Sequence, residues 1–186
     1  MGHGVEQEIK LRASGAADAR RRVLAAGVSP LRPRRLQHDV LVDTPDRRLL
    51  AAGSALRVRA DGDRAFLTFK GPVVPGPLKV REEIETEAAS GAALLGVLAA
   101  LGYTPAFRYE KYREEYAADG AIVAIDETPI GTFIEIEGTA AAIHALAAAF
   151  GYDDADYVTA SYRALFLAAA PGGTDMLFPG AVAGRP

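Results

Sequence analysis

The residues best suited to chemistry fall two apart. Glu6 and Glu8 precede Lys10, and Arg57 pairs with Arg59 as Arg-x-Arg. Arg81, Glu83, Glu85 and Glu87 occupy every second position, Lys111, Arg113 and Glu115 repeat that spacing, and Glu135 and Glu137 form a second Glu-x-Glu. In an extended strand such residues share a face. Each group therefore presents its charges together, with Ile9, Leu11, Val58, Ile84, Ile134 and Ile136 among the apolar residues on the opposite faces. Adjacent carboxylates suit a hard divalent cation, and paired guanidinium forks match phosphate oxygens. Lys70, on a face with Thr68 and Phe66, and Asp126, on a face with Ala124 and Ile122, extend the set. Seven bases (Lys10, Arg57, Arg59, Lys70, Arg81, Lys111 and Arg113) then stand beside seven acids (Glu6, Glu8, Glu83, Glu85, Asp126, Glu135 and Glu137). Carboxylates for a metal and forks for phosphate together describe a polyphosphate site.

Strands are expected near 5–12, 37–43, 54–60, 64–70, 79–87, 107–117, 121–126 and 132–137, with tight hairpins at Asp61-Gly62 and Asp119-Gly120. Ala/Leu-rich helices are expected at about 16–26, 90–101, 140–150 and 159–169, the first three ending at Gly27, Gly102 and Gly151. An open antiparallel sheet with one wet face gives the same alternation. A closed barrel gives it too, with the helices on the apolar outer faces and the charges inside. The residues alone leave both arrangements open. A charged lumen also requires matched charges and an anion or metal to complete them.

With 186 residues, 49% hydrophobic and 24% charged, the chain reads as one domain over 1–170, followed from Pro171 by an aperiodic, flexible tail over 171–186. The absence of cysteine removes disulfides, thiolate chemistry and cysteine-built zinc sites, and cytoplasm is the expected compartment. A net charge of −3 argues against general polyanion binding, so any anion site must be local. The apolar run Ala88–Leu101 is shorter than the roughly 20 residues a bilayer requires. Met1–Gly4 carries no signal-peptide pattern and is set aside. Arg20, Arg21 and Arg22, and then Arg32, Arg34 and Arg35, read as a solvated face without the interleaved aromatics of an RNA surface. His3, His38 and His144 have no partner at metal-ligand spacing. Tyr109, Tyr112 and Tyr116 read as packing, with Tyr109 on the face of Lys111 and within reach of a substrate.

Val5-Glu6-Gln7-Glu8-Ile9-Lys10 resembles the ExExK signature of the CYTH superfamily, the triphosphate tunnel metalloenzymes that include class IV adenylate cyclases, thiamine triphosphatases and inorganic triphosphatases. The likeness continues in order through Asp43-Thr44-Pro45, Leu56-Arg57-Val58-Arg59, Thr68-Phe69-Lys70-Gly71, Arg81-Glu82-Glu83, Glu110-Lys111-Tyr112-Arg113, Asp126, Phe133-Ile134-Glu135-Ile136-Glu137 and Ser161-Tyr162-Arg163, covering about residues 5 to 167. It implies an α+β fold: an eight-stranded antiparallel β tunnel with helices packed outside. It also implies Glu6, Glu8, Asp126, Glu135 and Glu137 as ligands for Mg2+ or Mn2+. Lys10, Arg57, Arg59, Lys70, Arg81, Lys111 and Arg113 become a triphosphate clamp, and Glu83, Glu85 and Lys111 the catalytic groups. The implied partner is a small triphosphate-containing molecule, with neither nucleic acid nor membrane; a homodimer stays open. Several hydrolytic members carry a tyrosine before the Asp-Thr-Pro turn, working with a lysine matching Lys111, where this chain has Leu41. The expected reaction is metal-dependent triphosphate hydrolysis. Cyclisation of ATP, for which 101–113 resembles class IV cyclases, and a non-catalytic polyphosphate-binding module are the alternatives.

Overall fold

A computed structural model describes residues 2–180, with side chains from Gly4 onward; Met1, residues 181–186 and the side chain of His3 lie outside it, and so do the expectations placed on them. The alternating segments form eight antiparallel strands: β1 (Gly2–Ala13), β2 (Ser29–Asp43), β3 (Ala55–Asp61), β4 (Arg64–Lys70), β5 (Lys79–Ala88), β6 (Thr104–Ala118), β7 (Ala121–Thr128) and β8 (Gly131–Gly138). They close in the order β1-β5-β4-β3-β2-β6-β7-β8. Closure removes the edges that an open sheet would expose. β1 completes the ring, pairing with β5 through Gly2–Glu8 and with β8 through Glu8–Ala13.

The hairpins carry the expected turn chemistry, with Gly62 at φ 67° and Gly120 at φ 69°. The β7–β8 ladder admits no side chain at its end. A methyl on Gly138 would run into the carbonyl oxygen of Gly120 and the Cα and Cβ of Ala121. Gly138→Ala is accordingly expected to cost about 1–3 kcal/mol, measured by chemical denaturation. Unchanged stability would show that the β6–β7 turn yields freely.

The helices are α1 (Ala16–Ala25), α2 (Arg48–Ala51), α3 (Gly91–Ala100), α4 (Ala140–Ala149) and α5 (Tyr162–Ala169). Ser90, Thr139 and Ser161 cap α3, α4 and α5 by accepting from Ala93, Ala142 and Ala164 amides. α1 and α4 cover the outer face of β1, β7 and β8, where Ile9, Leu11, Val123, Ile134, Ile136 and Ile143 are fully buried. Complete burial of such side chains stabilises by about 1.5–3 kcal/mol each, and it fixes which strand face looks inward. α3 does the same over β3 and β4 through Leu98 against Val58 and Val42.

α5 starts later than its apolar pattern suggests. Residues before it are extended, and Val158 pairs with Lys10 through two backbone bonds of 3.0 and 2.9 Å. This places Tyr162 against the tunnel. The segment expected to be a flexible tail begins in place: residues 174–178 run beside β6, Met176 donates its amide to Arg108 and accepts from Glu110, and its side chain is fully buried with Phe107, Phe133 and Tyr162. One apolar side chain inserted in a gap needs no periodicity, which is why the pattern gave no sign of it. Among the described residues no helix is long and apolar enough to cross a membrane.

Candidate active site

Inward parity on every strand but β7 brings the charges to one bore. Its cavity of about 400 Å3 is lined by eleven Lys and Arg and eight Asp and Glu side chains, so an acidic chain encloses a locally basic space. Every base and every acid assigned from the sequence lines it except Asp126. Arg12, on the same face of β1, leaves the bore and is exposed, with its guanidinium 5.0 Å from the Phe133 ring centroid.

Four carboxylates occupy β1 and β8. Burial and the neighbouring Glu8 would raise Glu6, but Lys70 at 2.6 Å and Arg81 at 2.9 Å hold it below the usual carboxylate range. Glu8 is fully buried and still held far down by Lys10 at 2.8 Å and Lys79 at 2.5 Å. Arg113 at 2.6 Å and Lys10 at 3.3 Å do the same for Glu135. Glu137 differs. Its side chain opens onto the bore, yet the surrounding protein and the carboxylates of Glu6 and Glu135 push it up to about 7.

The bases are crowded in turn. Burial and the charge of Lys10 bring Lys79 down to about 8, and burial with Arg113 brings Lys111 to about 8 despite Asp126. Arg57 is buried beside Asp39, 3.5 Å away, and its Nε makes no hydrogen bond. Such a donor awaits an acceptor. Arg59 is held by Asp39 at 2.8 Å. On β5, Glu83 pairs with Lys70 and is raised by burial, while Glu85 accepts from Thr68 at 2.8 Å and lies 3.5 Å from Arg57.

Asp126, the remaining acid assigned from the sequence, does not line the bore. It is fully buried in the wall, where β7 sets it opposite Arg113. It accepts from Lys111 Nζ at 2.9 Å, Arg113 Nε at 2.7 Å and the Tyr162 hydroxyl at 2.7 Å. Both of its oxygens are thus committed to Lys111, Arg113 and Tyr162. Arg32 and Arg35 also depart from expectation. β2 begins at Ser29 and carries them to the bore, where Arg35 bonds Asp61 at 2.6 Å and Glu115 at 2.7 Å. Arg20 and Arg34 pair instead with Glu114 and Glu127.

Lys79, Asp39 and Tyr162 were missed as site residues. Lys79 had a sequence signal, being two before Arg81 on the same strand face, as did Asp39 at inward parity in β2. Tyr162 was flagged only by the Ser161-Tyr162-Arg163 likeness, since strand parity gives no sign of a residue that arrives from a helix.

Among the described residues, no three acidic or imidazole side chains gather as a ready ligand set. The reason is visible in the pairs above: Glu6, Glu8 and Glu135 are each turned to a base. The donor chemistry fits a hard cation nonetheless, since these are oxygen ligands and Glu137, crowded by like charge, makes no ion pair among the described residues.

A closed eight-stranded tunnel with matched acids and bases inside defines a class, and the CYTH domain model matches residues 5–162. The chain belongs to the CYTH domain family. It is 30% identical over 105 residues to a "putative adenylate cyclase" of Methanocaldococcus jannaschii, a match covering 56% of this chain; the chain spans about three fifths of that relative's length, 60%. Its fold is shared by a "putative adenylate cyclase" from Vibrio parahaemolyticus, with TM-score 0.75 and 20% identity over 87% of this chain and 97% of the other. A Hippeastrum protein described as a putative adenylyl cyclase with a dominant triphosphatase activity superposes with TM-score 0.63 and 20% identity over 89% and 95%.

Proposed function

We propose that this protein is a divalent-metal-dependent phosphohydrolase acting on triphosphates. The observation that supports it most is the convergence, in one enclosed bore, of a surplus of Lys and Arg with four neighbouring carboxylates. Members of the same fold carry both cyclase and triphosphatase descriptions, which keeps the reading within the family.

Transfer of a phosphoryl group spreads charge over its oxygens, so catalysis is largely positioning and charge stabilisation. Arg57, whose Nε makes no hydrogen bond and stands 3.5 Å from Asp39, donates to a phosphate oxygen. Lys10, Arg59, Lys70, Arg81, Lys111 and Arg113 surround the remaining oxygens as their carboxylate partners are released. Lys79 and Lys111, crowded by cations, gain an anion that offsets this repulsion. Glu6, Glu8, Glu135 and Glu137 would hold Mg2+ or Mn2+. When bound, the ion neutralises phosphate charge and favours the attacking and leaving oxygens. Glu83 and Glu85, beside Lys70 and Arg57, orient the attacking water and accept its proton.

The cyclase reading is favoured by the relative from Methanocaldococcus jannaschii. It uses the same clamp, with attack moved to the α phosphorus by the 3′-hydroxyl of ATP. Incubation with ATP and with inorganic triphosphate, each in Mg2+ and in Mn2+, separates the two. Orthophosphate is the expected product. Cyclic AMP with pyrophosphate would replace the hydrolase by the cyclase, and tight binding without any product would leave a binding module.

A further inference from the structure

β7 covers β6 only from Tyr112 to Ala118, so the stretch of β6 that leads into Lys111 has β2 on one side and no β7 partner on the other. Residues 174–178 take that open side. After α5 the chain turns, with the Gly173 amide donating to the Ala170 carbonyl at 3.0 Å, and comes back beside β6. Met176 donates to the Arg108 carbonyl at 2.9 Å and accepts from the Glu110 amide at 3.0 Å. Around it, Asp175 accepts from the Arg108 amide at 2.6 Å, and the Phe178 amide donates to the Glu110 carboxylate at 3.2 Å. These bonds fix one register, and that register sets the Met176 side chain, fully buried, into the cluster of Phe107, Phe133 and Tyr162.

Tyr162 carries this packing to the bore. Its ring centroid lies 5.1 Å from Lys10 Nζ and 5.3 Å from Lys111 Nζ, while its hydroxyl bonds Asp126 at 2.7 Å. An ammonium over an aromatic face is attracted to it, so one ring steadies two bases of the clamp. Apolar support comes from Phe133, edge-on with centroids 5.5 Å apart, and from Met176. We infer that Met176 is a positioning residue for the clamp: packed against Tyr162, it holds that ring to Lys10 and Lys111, and a side chain outside the bore thereby sets how tightly the bore grips its anion. The inference rests on the tunnel being a triphosphate site. Removing the side chain leaves a cavity into which Tyr162 can lean, and a small displacement of both lysines spoils contact with several phosphate oxygens at once.

The test uses the full chain with Mg2+ and inorganic triphosphate. Met176→Ala is expected to weaken calorimetric binding about tenfold, to raise KM by a like factor with kcat less affected, and to alter the near-ultraviolet circular dichroism of the tyrosines. Met176→Leu keeps the volume and should restore all three. Val23→Ala, a truncation of an equally buried residue in the cluster under α1, controls for lost stability: it should lower the melting temperature and leave affinity unchanged. Should Met176→Ala fail to fold, Met176→Val carries the same expectation with a smaller change. Wild-type affinity in the Met176 truncation would overturn the inference, as would an equal loss of affinity in Val23→Ala. A wild-type protein that binds no triphosphate would refute the clamp itself, and the role of Met176 with it.

Discussion

Glu137→Gln is expected to remove metal-dependent turnover while leaving the metal-free protein as stable as before or more so. Glu137 lies among Glu6, Glu8 and Glu135 and makes no ion pair among the described residues, so in the absence of a cation burial and repulsion from these carboxylates outweigh the attraction of Lys70. Gln keeps the shape and deletes the repulsion. A bound dication reverses the balance, since it draws on that same charge. A fall in kcat/KM of about 10²-fold or more, together with loss of thermal stabilisation by added Mg2+ or Mn2+, is the expected pair of results. Glu135→Gln should lose activity as well, but with a lower melting temperature, because Arg113 and Lys10 lose their partner. Full activity in Glu137→Gln would remove this residue from the metal set.

Asp126→Asn is expected to act on the scaffold. It removes the charge that faces Lys111 and Arg113 in a fully buried place, leaving two cations in the wall without their main counter-charge. Breaking a buried pair in this way costs about 3–5 kcal/mol, measurable by urea denaturation. Because the Tyr162 hydroxyl bonds the same oxygen, Tyr162→Phe should cost less, about 0.5–1.5 kcal/mol, and the double variant should lose less than the sum of the two. A folded, fully stable Asp126→Asn with weakened metal binding would return Asp126 to the ligands.

The tunnel was legible because strand parity is strict. Once Ile9, Leu11, Val123 and Ile136 are committed to the helices outside, Glu8, Lys10 and Glu135 have only the inside to occupy. Parity tells which face a residue takes and says nothing about depth. For that reason Asp126 could be placed with the inner residues but not recognised as sealed in the wall behind Tyr162. Residues that reach the site by another route were harder still. Tyr162 comes from α5 and Met176 from an aperiodic segment. Leu41 illustrates the point. From the sequence it was a missing tyrosine, whereas in the structure it packs against the cluster of Phe107, Tyr109 and Tyr162.

The position of β1 in the ring bears on how the chain is made. Its residues at the amino end find their final partners in β5 and, last, in β8, more than a hundred residues onward. A ribosome must therefore deliver nearly the whole domain before the first strand can be locked, and until then one flank of the sheet stays unpaired. Synthesis of this protein should be slow to yield a protease-resistant product, and resistance should emerge in one late step once residues 131–138 leave the exit channel.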